Sequence, residues 1–206
     1  MLYNTLALIS LLVVILLLRS MVNTFPSLIA CLFRWKENIN LQMSVKLSRE
    51  RDTLALAMII PFCLTVYRFE LYNPGFFDNF GENAKIWMIL GIFAGFMILR
   101  KICTFLLRTK RLSQIIYKSA ITSERTFFIV LTLLLLSTGG ILSLFDINIA
   151  TIRSTMFWLS GTIYIAFLLR KLQIFNSGCS IFLSFLYLCA LEILPIGVLV
   201  TSTVIF

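Results

Sequence analysis

The C-terminal stretch Ser180–Phe206 reads SIFLSFLYLCALEILPIGVLVTSTVIF. About 20 apolar residues are enough to cross the roughly 30 Å hydrocarbon core of a bilayer as a helix, so this stretch predicts a transmembrane span. Its one ionisable residue, Glu192, lies roughly 17 Å along a helix that starts at Ile181, which is close to the midplane. Pro195 has no backbone N–H and leaves the carbonyl of Leu191 without its helical partner. The sequence therefore predicts a buried carboxyl beside a loosened helical turn.

Glu192 is the strongest candidate site, with Pro195, Tyr187 and Cys189 beside it. An ionised carboxylate at the midplane costs several kcal/mol, so we expect Glu192 to be protonated or to face a polar pocket or a cation. It would then couple a proton or ion, bind a polar group, or contact a partner subunit. The structural alternative is a hydrogen bond that fixes helix packing, made to Tyr187, to Ser184 or to a free carbonyl. For Pro195, a plain kink is the expected role.

The composition of the whole chain agrees with a membrane protein. Of its 206 residues, 60% are hydrophobic and 13% are charged, whereas soluble proteins average about 25% charged residues. The formal net charge is +9. Membrane proteins with several spans keep Lys and Arg in their cytoplasmic loops, so this charge predicts topology, and no nucleic acid partner is expected.

The hydropathy pattern predicts a single all-α integral membrane domain of residues 1–206, a bundle of about six transmembrane helices. The predicted spans are 2–22, 53–71, 84–99, 126–145, 155–169 and 181–206. We expect a kink at Pro61 and a close helix approach at the Gly91–Gly95 pair, which has G-x-x-x-G spacing. The small residues Ser137–Gly140 interrupt the fourth span, and close packing is their expected role.

The basic residues predict how the spans are oriented. Connections 19–52, 100–125 and 170–180 hold six, seven and two Lys or Arg residues, against three in the other two connections. By the positive-inside rule these three connections are cytoplasmic, and both termini lie outside. Pro26–Trp35 and part of 100–125 are amphipathic and are expected to lie at the cytoplasmic interface. Their cations should attract anionic lipid, by about 1 kcal/mol per charge near the surface.

The sequence lacks the usual residues for metal or nucleophilic catalysis. It contains no histidine, and its five cysteines form no C-x-x-C pair, so the usual zinc spacings and Ser-His or Cys-His catalysis are not available. We therefore expect no metal, no cofactor and no enzymatic activity.

Residues Phe185–Pro195, FLYLCALEILP, resemble the C-terminal signature of a family of uncharacterised small integral membrane proteins of Bacteroidota. The pattern of that family is Tyr-x-Cys-(small)-Leu-Glu-Ile-Leu-Pro near the chain end, and Tyr187, Cys189 and Leu191–Pro195 match it. Leu168–Arg170 before this segment also fits. The resemblance implies an integral protein of the bacterial inner membrane and marks Glu192; with the positive-inside rule, the termini are then expected to be periplasmic. It implies no particular activity.

These observations favour a non-enzymatic subunit or accessory factor of an inner-membrane complex, with protein export or the envelope as the setting. Its partners would be the lipid bilayer and other membrane-protein subunits, with Glu192 as a buried contact. The alternative is a small transporter or flippase in which Glu192 binds substrate or couples a proton. The third hypothesis is an intramembrane enzyme that acts on lipid. This activity would need a second polar residue near Glu192 to act as a base.

Overall fold

The computed structural model describes residues 2–75, 77, 80–106, 114–178 and 181–205, and these contain helices and no strand. The helices are α1 (Leu2–Leu16), α2 (Leu18–Phe33), α3 (Trp35–Met43), α4 (Val45–Ala57), α5 (Ile59–Arg68), α6 (Glu82–Leu106), α7 (Gln114–Leu144), α8 (Ile149–Asn176), α9 (Ile181–Leu188) and α10 (Leu194–Ile205). A π-helical turn, Cys189–Ile193, joins α9 to α10. The predicted all-α class is confirmed.

Three helices among the described residues are long and apolar enough to cross a membrane, namely α6, α7 and α8. The pair α1 and α2 would add a fourth span if it counts as one, although it bends by 71°. The bend falls at Leu17, inside the predicted span 2–22. The arrangement of six spans stays a prediction.

The other two predicted spans are helical but interrupted. Within 53–71, α4 ends at Ala57 and α5 begins at Ile59, so the break precedes the predicted kink residue. Pro61 lies in the first turn of α5, where a helix needs no N–H donor. The last predicted span is helical from Ile181 to Ile205 in three pieces, and its final residue, 206, lies outside the described residues.

Helix α7 is the centre of the bundle and packs against α2, α3, α4, α5 and α8. The first core cluster joins four helices and consists of Leu28, Cys31, Leu41, Leu54, Ala55, Ile129 and Val130. In this core, apolar side chains of α2, α3 and α4 are buried against Ile129 and Val130 of α7.

The first basic connection, residues 19–52, is largely helical and packs against the core, which the sequence did not predict. Pro26–Trp35, expected at the interface, lies mostly within α2, and the remainder of connection 19–52 lies largely in α3 and α4. On α2 the buried residues Thr24, Leu28 and Cys31 recur at helical spacing and face the core. The interface expectation missed this packing because amphipathicity alone does not distinguish a lipid surface from a neighbouring helix. Residues 107–113 of the second amphipathic segment lie outside the described residues.

The two glycine predictions have different outcomes. At Gly139 an added Cβ would lie 2.5 Å from Met156 Cε and 2.8 Å from Phe69 Cε2, so close packing in this small-residue stretch is confirmed. Helix α7 also runs through it without unwinding. At Gly91 and Gly95 an added Cβ would meet nothing within 4 Å. The predicted close approach is therefore not made within the described part of this chain.

Candidate functional site: a buried cluster of four charges

Glu192 lies in the π-helical turn, where the backbone N–H of Leu194 donates to the carbonyl of Cys189. This five-residue spacing is the loosened turn that the sequence predicts. Pro195 follows it directly and is buried, and because it cannot donate to a carbonyl four residues back, a regular α-helical ladder cannot pass through this point. Such π-turns occur often at functional sites. The turn widens the helix where Glu192 projects.

Two cations from other helices hold the Glu192 carboxylate. Arg100 Nη2, on α6, donates to both carboxylate oxygens. Lys171 Nζ, on α8, donates to Oε1. The side chains of Glu192 and Lys171 are only 1% and 2% exposed. Of the alternatives that the sequence left open for Glu192, the structure shows the one in which it faces a cation.

Glu124 of α7 completes the cluster. Its Oε2 lies 2.7 Å from Arg100 Nη2, and the two side chains are 19% and 12% exposed. Arg100 is therefore shared between two carboxylates. With two acids and two bases the formal charges cancel, as a buried ionic group requires. We define Arg100, Glu124, Lys171 and Glu192 as the charge cluster.

Aromatic side chains of α8 line the same site. The Phe167 ring centroid lies 5.7 Å from Arg100 Cζ and 5.4 Å from Lys171 Nζ, within the range of cation–π attraction. The Phe175 centroid lies 6.0 Å from Lys171 Nζ. Tyr164 lies one turn before Phe167, and its hydroxyl is buried without a hydrogen-bond partner among the described residues. Spacings of three and four place these residues on one helix face.

The other predicted site residues have supporting positions. The Tyr187 ring stacks on Phe175, with centroids 5.8 Å apart, and no hydrogen bond from Tyr187 to Glu192 occurs in the described structure. Since Phe175 pairs with Tyr187 and Lys171 pairs with Glu192, α8 and the C-terminal segment run antiparallel. Cys189 is a free, half-buried thiol at the start of the π-turn. The predicted group thus lies together, but Arg100, Glu124 and Lys171 were missed.

The missed cations had been assigned to cytoplasmic connections because they follow apolar runs. Their helices continue, to Leu106 for α6 and to Asn176 for α8, and this continuation returns both side chains to the bundle. Two features of the sequence do indicate that a cation lies near Glu192. Tyr164, Phe167 and Lys171 share a helix face, and a buried acid needs a buried base, for which the ends of neighbouring spans are the nearest source.

A second polar network ties α3, α4 and α7 together. Arg51 is 1% exposed and lies 2.8 Å from Asp52, and it also donates to Gln42 Oε1 at 3.2 Å. Gln42 Oε1 accepts from Thr122 on α7 at 2.9 Å. Arg125 lies 2.5 Å from the other Asp52 oxygen. Burial opposes the charge on Asp52, but hydrogen bonds from Arg125 and Arg51 outweigh it and hold the pKa of Asp52 below its ordinary 3.8.

No group of three or more Cys, Asp or Glu side chains suited to a metal ion occurs among the residues that the structure describes. The charge cluster also pairs each of its acids with a base. Chemically, such an arrangement can hold helices in register, or exchange a proton if one ion pair opens.

Comparison with known proteins identifies a family for this chain but no individual relative. No curated protein and no solved structure matches the chain. A family model, described as a domain of unknown function (DUF4271), matches residues 4–202. Because the match covers nearly all of the bundle, including the charge cluster, the chain belongs to the DUF4271 family.

Proposed function

We propose that this chain is a non-enzymatic membrane protein that serves as a subunit or accessory factor of a membrane complex. The observation that carries the proposal is the closed charge cluster. Both oxygens of Glu192 accept hydrogen bonds from cations of the same chain, which supports a packing role over substrate binding. Glu192 would then hold the C-terminal helix against α6, α7 and α8, and the bundle would present a fixed outer surface to its partners.

One helix face supports a partner within the membrane. Gly91 and Gly95 are exposed on α6, one turn apart, and a Cβ at either would meet nothing within 4 Å. Paired small residues allow backbones of two helices to approach closely. Since the described part of the chain supplies no such neighbour, a helix of another subunit is the proposed occupant.

The cellular setting belongs to the same proposal. We place the protein in the bacterial inner membrane of a Bacteroidota organism, with six spans and both termini periplasmic, in a complex of protein export or the envelope. The support is the Tyr187–Pro195 signature and the excess of Lys and Arg in connections 19–52, 100–125 and 170–180, an excess that remains when Arg51, Arg100 and Lys171 of the bundle interior are left out. Anionic lipid at these connections is the expected surface contact.

Affinity purification from the native membrane in mild detergent, followed by mass spectrometry, tests the subunit proposal. Wild type should recover a stoichiometric partner. Gly95→Leu should lose it, because the larger side chain blocks helix approach, whereas Gly161→Leu should keep it. Gly161 is an equally open glycine on α8 and serves as the matched control. Recovery of the protein alone, or equal partner recovery from both variants, would exclude the proposed contact.

A small transporter or flippase is the second candidate, and one observation favours it. Arg100 Nη2 contacts both Glu124 and Glu192, and Glu192 lies in a π-turn. A proton on Glu192 would weaken its hold on Arg100, which could then stay with Glu124 alone. Ionisable residues within transmembrane bundles often serve as proton relays.

Proteoliposomes with an internal pH dye test this second function. A proton-coupled transporter should acidify the lumen when an inward proton gradient and substrate are applied, and Glu192→Gln should abolish the signal. The exposed-pair variant Glu70→Gln serves as the control. Equal signals from wild type and Glu192→Gln would exclude coupling through Glu192.

A further inference from the structure

A cavity of about 310 Å³ lies where the bend between α1 and α2 meets the start of α4. Its lining residues are Leu16, Arg19, Ser20, Asn23, Lys46 and Glu50. It is separate from the charge cluster and shares no residue with it. Two cations, two neutral polar side chains, one acid and one apolar residue thus meet in one concave site.

The two cations suit a phosphate group. Arg19 and Lys46 both belong to the first basic connection and reach the cavity from different helices. The planar guanidinium of an arginine binds a phosphate through two parallel hydrogen bonds, while a lysine adds a compact point charge. Ser20 and Asn23 offer further neutral donors. These four side chains give the cavity the donors that an anionic oxygen group requires.

Glu50 is the residue of the cavity that can select a primary amine in addition to the phosphate. Its Oε2 atom is buried and accepts no hydrogen bond from the described residues. Buried polar atoms are nearly always satisfied in native structures, and a carboxylate accepts most strongly from a charged donor. Glu50 lines the cavity, and a primary ammonium beside the bound phosphate supplies such a donor once the Glu50 side chain turns this buried oxygen toward it. A quaternary ammonium does not, because it has no N–H.

Apolar surface leads directly to this cavity. Leu16 lines it and is 73% exposed, and the preceding turns of α1 also expose apolar side chains. These are Leu8, Leu11, Leu12 and Ile15. Acyl chains can lie along them while a polar group occupies the cavity at the end of the helix, as in interfacial lipid sites. The arrangement favours a lipid headgroup over free phosphate.

We propose that this cavity binds the headgroup of a phospholipid that carries both a phosphate and a primary amine. The phosphate lies between Arg19 and Lys46, and the ammonium donates to Glu50. This site goes beyond the proposed subunit role and beyond the general attraction of anionic lipid to basic loops. It selects an amine that a purely electrostatic surface would repel.

Native mass spectrometry of the delipidated full-length protein in detergent tests the assignment. The probes are phosphatidylethanolamine, phosphatidylglycerol and phosphatidylcholine with identical acyl chains. We expect phosphatidylethanolamine to bind about tenfold more tightly than the other two, since a hydrogen bond to a charged group contributes on this scale. Equal binding of the three lipids would overturn the amine assignment.

Single substitutions test separately the contacts to the phosphate and the contact to the amine. Glu50→Gln should reduce the preference for the primary amine about tenfold and should not weaken phosphatidylglycerol binding, because the carboxylate it removes repels a phosphate. Arg19→Gln and Lys46→Gln should weaken binding of all three lipids. Lys118→Gln removes the same charge from an exposed position on α7 and should leave binding unchanged. If Arg19→Gln and Lys46→Gln bind like Lys118→Gln, the headgroup site is wrong.

Inorganic phosphate distinguishes the two possible sources of the bound group. Millimolar phosphate should not displace bound phosphatidylethanolamine, because it lacks both the amine and the acyl chains. Displacement by phosphate alone would overturn the lipid assignment. Melting temperatures of the Arg19, Lys46 and Lys118 variants in the same detergent should match wild type, since these three side chains are exposed.

Discussion

Removal of the negative charge on Glu192 should destabilise the bundle strongly. Glu192→Gln keeps the size of the side chain but leaves Lys171 without the carboxylate that its ammonium contacts, while Arg100 keeps Glu124 at 2.7 Å. Breaking one partner of a buried ion pair costs about 3–5 kcal/mol, because the other charge stays buried. That is a large part of a typical unfolding free energy of about 5–15 kcal/mol.

Thermal unfolding of the detergent-solubilised protein, followed by circular dichroism, measures this loss. For a chain of this length, about 2–4 °C per kcal/mol predicts a fall in melting temperature of about 6–20 °C. The matched control is Glu70→Gln, which removes a carboxylate from the ion pair with Arg153. Those side chains are 57% and 38% exposed, and an exposed pair contributes about 0–1 kcal/mol.

A double variant shows whether the buried charge is the cause. Lys171→Met combined with Glu192→Gln removes both charges of the Lys171–Glu192 pair and puts an apolar side chain of similar length in place of the lysine. The double variant should be more stable than Glu192→Gln alone, because replacement of a whole buried pair is often close to neutral. If Glu192→Gln melts no lower than Glu70→Gln, the reasoning about the charge cluster is wrong.

Two further predictions concern packing and pH. Gly139→Ala should lower the unfolding free energy by about 1–3 kcal/mol, since the new Cβ would lie 2.5 Å from Met156 and 2.8 Å from Phe69. Gly140 has open space around it, so Gly140→Ala should be neutral or stabilising in the same melting assay. Equal effects of the two substitutions would contradict the close packing at Gly139. Asp52 has a folded-state pKa below its ordinary 3.8, so its ion pairs should stabilise the protein fully above that pH and lose their effect as the pH falls through the lower, folded-state pKa. Wild type should therefore be more stable than Asp52→Asn at neutral pH, by about 1 kcal/mol for this partly exposed pair, with the difference shrinking in acid; a constant difference across pH would refute the assignment.

The sequence could predict the helical class, the buried position of Glu192 and the loosened turn before Pro195, because each depends on local chemistry. Hydropathy identifies helices, a lone acid in an apolar run must be compensated, and proline removes one hydrogen bond. The small-residue stretch that includes Gly139 was also predictable as a packing site. Its neighbours Met156 and Phe69 were not, since they come from other helices.

The partners of Glu192 could not be derived from local patterns. Arg100 and Lys171 are 92 and 21 residues away along the chain, and both follow apolar runs at positions typical of loop cations. Only the continuation of α6 and α8 past those runs brings them to the carboxylate. Similarly, Arg51 lies in a stretch with polar composition, and its burial depends on α7 packing over α3 and α4.

The charge cluster requires that Glu192 is ionised and paired with Arg100 and Lys171 within its own chain. The infrared difference spectrum between wild type and Glu192→Gln at neutral pH tests it most directly, because carboxylate and protonated carboxyl groups absorb at separate frequencies. We predict that the variant loses absorption in the carboxylate region alone. Loss of a protonated-carboxyl band would show that Glu192 is neutral and would contradict the ion-paired cluster.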